Sequence, residues 1–121
     1  MLDTSELSAL IISTLDAAKA VDIKKIDVRK MTDITDFMII CHGTSDRHVT
    51  AMARHVTDTL AAKACKPVSI EGEDTGEWIL IDYLDAVVQI MQREAREHYD
   101  LESLWNPRLS TPEDRQKARS A

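Results

Sequence analysis

The five residues "FMIIC", Phe37 to Cys41, are apolar without a break. A strand sends successive side chains to opposite faces, so a run with no polar alternation needs cover on both sides. That requirement marks an interior strand of a layered domain. At Gly43 the period changes. Val49, Met52, Ala53, Val56 and Leu60 recur on one helix face. Ser45 stands where an N-cap belongs, and Asp46 suits the positive end of the helix dipole. The helix is expected to run to about Ala64, with Pro67 marking its end.

The rest of the chain falls into place around this strand and helix. Asp3 to Ser5 offer N-caps, and Leu7, Leu10, Ile11, Leu15 and Ala18 predict an amphipathic helix from Ser5 to about Ala20. "DIKKIDVRKM" puts Ile26 and Val28 on one face and Asp27 and Arg29 on the other, the pattern of a half-exposed strand. "PVSIEG", "WILIDYL" and "AVVQIM" read as three more strands, with "EGEDTGEW" a turn. "REAREHYDLESLW" begins as a helix. The order α-β-β-α-β-β-β-α implies one α/β domain, a mixed sheet of about five strands with flanking helices. It spans residues 1–105. Residues 106–121 hold two prolines and no periodicity, and we read them as a mobile C-terminal tail.

Charge narrows the partners. The chain of 121 residues has a formal net charge of -6. The tail carries four basic and two acidic side chains, which leaves 11 basic and 19 acidic before it. An acidic body repels phosphate backbones, so little direct nucleic-acid contact is expected and a basic protein partner fits better. Cys41 and Cys65 form no Cys-x-x-Cys pattern, which suits a reducing compartment. The first ten residues lack a basic leader segment, and no apolar stretch has the length of a membrane span. A cytoplasmic location is expected.

Strand, glycine turn and helix start in "FMIICHGTSDRHV" raise the question of a phosphate loop. Gly43 is the only glycine there and no lysine follows, so neither phosphate-loop pattern is met. A nucleotidyltransferase would begin with such a turn. It would then need paired carboxylates on the next strand to hold two magnesium ions. "PVSIEG" supplies only Glu71. The pairs Asp82/Asp85 and Asp33/Asp36 do not share a strand face. His48 and His55 are seven apart, too far to chelate one ion alone, and no zinc pattern occurs. Ser45 lies in no nucleophile elbow. We expect no enzyme, no catalytic residue, no cofactor and no metal. The alternative kept open is a small nucleotidyltransferase-type enzyme with atypical metal ligands.

What remains is surface. Along "WILIDYL", Trp78, Leu80 and Asp82 point one way, and Ile79, Ile81 and Tyr83 the other. One face must be core. The other is either core under a helix or an exposed patch with a tryptophan and an acid, the composition of an interface with a basic partner.

Three blocks, "DVRKMTDITDFMIICHGTSDRHV", "EGEDTGEWILIDYLDAVVQIM" and "EAREHYDLESLW", resemble the ribosomal silencing factors, also called the Iojap family. The resemblance covers about Leu7 to Trp105. It implies a nucleotidyltransferase-like fold without catalytic acids. It also implies a repressor that binds the large ribosomal subunit through the basic ribosomal protein uL-fourteen. By occupying space there, such a protein blocks association with the small subunit when nutrients are scarce. Carried over residue by residue, it assigns the docking surface to Trp78, Leu80, Asp82 and Asp85, with Arg47 and Tyr99 as further contacts. A homodimer through the same face is compatible with it. This chain departs from the family pattern at His42, where a small residue is usual, at Leu84, where glycine is common, and at Gln89, where histidine is frequent.

Overall fold

The computed structural model describes residues 2–33 and 35–99. Its elements follow the expected order: α1 (Thr4–Ala17), β1 (Val21–Asp27), β2 (Phe37–Gly43), α2 (Asp46–Ala61), β3 (Ser69–Glu71), β4 (Trp78–Asp82), β5 (Ala86–Gln92) and α3 (Arg93–Tyr99). The five strands form one sheet in the order β1-β2-β5-β4-β3. Only β2 and β5 are parallel neighbours; the other pairs are antiparallel. The single-domain mixed sheet is the one expected. Residues 100–121, and with them the boundary at Trp105 and the tail, lie outside the described residues.

Both helix ends fall three residues short of the positions expected, Ala20 and Ala64, for one physical reason. After α1, Lys19 turns left-handed at φ 65°, its N–H bonds to Asp16 O, and the Ala20 N–H reaches back to Leu15 O. After α2, Ala64 turns at φ 58°, with its N–H on Ala61 O and the Cys65 N–H on Leu60 O. Both are Schellman caps, a motif that glycine usually signals. Neither carries a glycine, so the apolar period continues past the true end.

The caps are among those expected, with α1 beginning at Thr4, one residue before the expected Ser5. Asp3 Oδ1 accepts from the Glu6 N–H at 2.8 Å, and Ser45 Oγ from the His48 N–H at 3.0 Å. Each satisfies an amide that the first helical turn leaves open.

The sheet separates two cores. On one face α1 and α2 bury Ile11, Leu15, Val49, Met52, Val56 and Leu60 against Ile39, Cys41, Ile79, Ile81, Val88 and Ile90. On the other, Met38, Ile40, Val87 and Met91 pack with Val28 and with Ala95 of α3. The unbroken apolar run in β2 is thereby explained: Ile39 and Cys41 enter the first core, Met38 and Ile40 the second. Burial in the first core pushes the Cys41 thiol up to about 12.

Candidate functional site

Where the turn "HGTSD" enters α2, three amides are spent on the protein itself. The Thr44 N–H donates to His48 Nδ1 at 3.0 Å, the His48 N–H to Ser45 Oγ, and the Arg47 N–H to Asp46 Oδ1 at 2.8 Å. His48 Nδ1 accepts, so its proton sits on Nε2, which lies 3.0 Å from Ala18 O. That bond ties the turn to the end of α1. A Cβ on Gly43 would stand 2.8 Å from Met52 Cε, so the glycine lets β2 approach α2 closely. Three amides that could face a phosphate here, those of Thr44, Arg47 and His48, are thus engaged within the protein. Among the described residues, no three His, Cys, Asp or Glu side chains converge on a point that could hold a metal ion.

The second sheet face is different in kind. α3 is short and packs on β2 and β5. Trp78, Leu80 and Asp82 share this face on β4, while Ile79, Ile81 and Tyr83 enter the first core. Trp78 and Leu80 are half-buried against the second core, and Asp82 is half-buried beside them. The tryptophan is therefore neither sealed inside nor free in solvent. Its indole N–H donates to Gln89 Oε1 at 2.6 Å, and Gln89 Nε2 lies 3.3 Å from Met38 Sδ. This chain of contacts crosses β4, β5 and β2 and fixes the ring on the sheet.

Register brings acids to the margin of this face. Leu80 stands opposite Gln89 on one side and Glu71 on the other; Asp82 stands opposite Val87 and Ser69. The result is an apolar row of Trp78 and Leu80 with Glu71 and Asp82 beside it. Asp82 also has a local task, since its Oδ1 accepts from the Leu84 N–H at 2.8 Å and shapes the turn into β5. Asp85 is exposed in that turn, where its carbonyl accepts from the Asp36 and Phe37 amides.

Of the six residues assigned from sequence, the fold thus brings Trp78, Leu80 and Asp82 onto one surface, with Asp85 at its end. Arg47 is exposed in the first turn of α2, the helix that covers the opposite face, and so stands apart from the other four. Tyr99 closes α3, and its side chain lies outside the described residues. Glu71 borders this surface and Gln89 lies buried beneath its tryptophan; neither was among the six. Only strand register reveals them: Gln89 reads as an inward residue of an apolar strand, and Glu71 as one acid of a turn.

A second polar cluster lies at the far edge. Arg96 of α3 is 7% exposed. Its Nη1 donates to Asp22 O at 2.7 Å, Val21 O at 3.3 Å and His42 Nδ1 at 2.9 Å. The register of β1 slips between Val21 and Lys24, and Asp22 takes φ 50°. The guanidinium thus serves the carbonyls that this bulge turns away from the ladder.

The profile of a family described as "Ribosomal silencing factor during starvation" matches residues 2–121. The ribosomal silencing factor RsfS of Haemophilus influenzae is 46% identical over 99 residues, which cover 82% of this chain and 97% of that protein. A mouse protein named "Mitochondrial assembly of ribosomal large subunit protein 1" is 35% identical over 102 residues, covering 82% of this chain and 45% of that protein. A crystal structure from Chromobacterium violaceum superposes with a TM-score of 0.84 at 38% identity, covering 86% of this chain and 87% of that one.

Proposed function

This chain belongs to the RsfS family of ribosomal silencing factors, and on that premise we propose that it represses translation by docking on the large ribosomal subunit. The family's named role is regulatory and names no reaction. We take the partner to be the basic ribosomal protein uL-fourteen on the face that meets the small subunit. A bound domain of this size would then exclude the small subunit by occupying space. The site of action is the cytoplasm, where the subunits meet.

The observation that carries this reading is the row of β4 that stays partly open among the described residues. Trp78 and Leu80 are half-exposed on one sheet face, with Glu71 beside Leu80 and Asp82 and Asp85 beyond it. A held indole at one end of an apolar row, with acids along the rest of it, suits a partner rich in lysine and arginine. Exposed ion pairs of this kind contribute only about 0.2–1 kcal/mol each, so Trp78 is the anchor and the acids set orientation. Arg47, on the opposite side of the sheet, is a further contact only if the partner wraps beyond this face, and Tyr99 is taken as a contact from the end of α3. A second copy on the same face would compete with the ribosome for it.

Co-sedimentation with isolated large and small subunits at moderate salt tests the reading, wild type beside Trp78→Ala. The expected result is binding to large subunits only, with binding lost in a variant whose circular dichroism matches wild type. Undiminished binding by the folded variant would refute the assignment of the face. Wild type that binds neither subunit would refute the docking mechanism.

A further inference from the structure

Beyond Asp82 the chain turns into β5 through Leu84, which combines two properties a leucine rarely has together. It stands at φ 71° and is 60% exposed. Left-handed backbone crowds a Cβ, so leucine is strained where glycine is not. Exposure denies it the compensation of burial. The turn holds it there all the same: the Leu84 N–H donates to Asp82 Oδ1, the Tyr83 N–H to Ala86 O at 2.9 Å, and the Asp85 N–H to Tyr83 O at 3.0 Å. Lys19 and Ala64 are left-handed and exposed too, at helix ends, but of the three only Leu84 exposes a large apolar side chain, and that combination points to a use outside the fold. Position adds to this. Trp78, Leu80 and Asp82 alternate along one face of β4, which ends at Asp82, and Leu84 stands in the turn that follows, between Asp82 and Asp85 in the chain.

We propose that Leu84 is a specificity-determining contact of this surface, an apolar knob that enters a pocket on a basic protein while Asp82 and Asp85 meet lysine or arginine at the pocket rim. The proposal rests on the docking reading above and deepens it. It commits to the basic ribosomal protein as occupant. A second copy of a chain with net charge -6 brings acid against acid at this turn, and an anionic membrane does the same. The knob adds apolar contact where the two carboxylates already steer a cationic partner, so it discriminates among basic proteins by shape.

The test separates the fold from the contact because the two respond in opposite directions. Leu84→Gly removes both the strain and the side chain. Its thermal midpoint should equal or exceed that of wild type, while its affinity for isolated large subunits falls about tenfold, the loss expected when a leucine of this exposure no longer becomes buried. Leu84→Asn, a residue that tolerates left-handed backbone, should bind as weakly as the glycine variant. If wild type binds and the glycine or asparagine variant binds as well or better, Leu84 is only a turn residue and the proposal fails, with the docking reading intact. If wild type itself binds no subunit, both fail together.

Discussion

Arg96 Nη1 lies 2.9 Å from His42 Nδ1, a guanidinium donating to the unprotonated nitrogen of a histidine across 54 residues of chain. A proton on Nδ1 would set two donors against each other. Burial and the neighbouring Arg96 charge hold the His42 pKa below its usual 6.5, against the opposing pull of Asp22 and Glu97.

The sign of the resulting pH dependence follows directly. The unfolded chain takes up a proton on this histidine as pH falls through about 6.5, before the folded chain does. Stability from His42 is therefore present above that pH and declines as pH falls from it toward the lower folded value. Denaturant unfolding at pH 7.5 and 5.5 should show lower stability at 5.5, and His42→Gln, which keeps an acceptor without a titrating ring, should shrink the difference. An unchanged difference in the variant would remove His42 as its source. Asp27, held down to about 2 by its hydrogen bond from Arg29, acts in a separate window and loses its contribution only as pH falls from about 4.

Gln89 is 6% exposed and accepts from the Trp78 indole N–H. Gln89→Leu fits the site by size and leaves that N–H without its acceptor, which costs about 1–3 kcal/mol for a buried donor and less for a half-exposed one. We expect a loss of about 1 kcal/mol in denaturant stability and a shifted Trp78 indole resonance in NMR spectra. An unmoved resonance would mean that Gln89 does not position the ring.

The two helix ends built without glycine are open to improvement. Lys19 and Ala64 are both exposed and both left-handed. Relief of about 1–2 kcal/mol of backbone strain is offset in part by the greater freedom of glycine in the unfolded chain. Lys19→Gly and Ala64→Gly should each raise stability by about 0.5–1 kcal/mol. Because the sites are far apart in sequence and share no contact described above, the two gains should add in the double variant.

Gly76 behaves in the opposite way. It stands at φ 67°, and a Cβ there would come within 2.7 Å of Asp46 O and 2.8 Å of Thr50 Oγ1. Gly76→Ala should therefore destabilise by about 2 kcal/mol or more, from backbone strain together with the push against α2. Thermal unfolding reads this directly, and a midpoint equal to wild type would show that the loop before β4 can move away from α2.

Much of this molecule could be read from residue order alone, because period, caps and breakers are local. The unbroken "FMIIC" run placed β2 between two cores. Ser45 and Asp3 set the helix starts through bonds only three residues long. Alternation along β4 divided Trp78, Leu80 and Asp82 from Ile79 and Ile81 before any packing was known. The helix ends were less legible, since Lys19 and Ala64 adopt a conformation that their side chains do not advertise.

What residue order left open was settled by contacts between distant segments. Which face of β4 is half-open depends on where α3 lies, and α3 follows β5 onto β2 and β5 instead of crossing to β4 and β3. The neighbours of the apolar row come from register: Glu71 and Gln89 flank Leu80 only because β3 and β5 pair with β4 at those offsets. Arg47 separates from Trp78 because α2 packs on the other side of the sheet. Sequence by itself therefore determined the elements and the two faces of each strand, which are fixed by dihedral preference and side-chain period. Tertiary structure alone decided which face stayed open and which residues met on it, because strand order, register and helix placement are set by long-range packing.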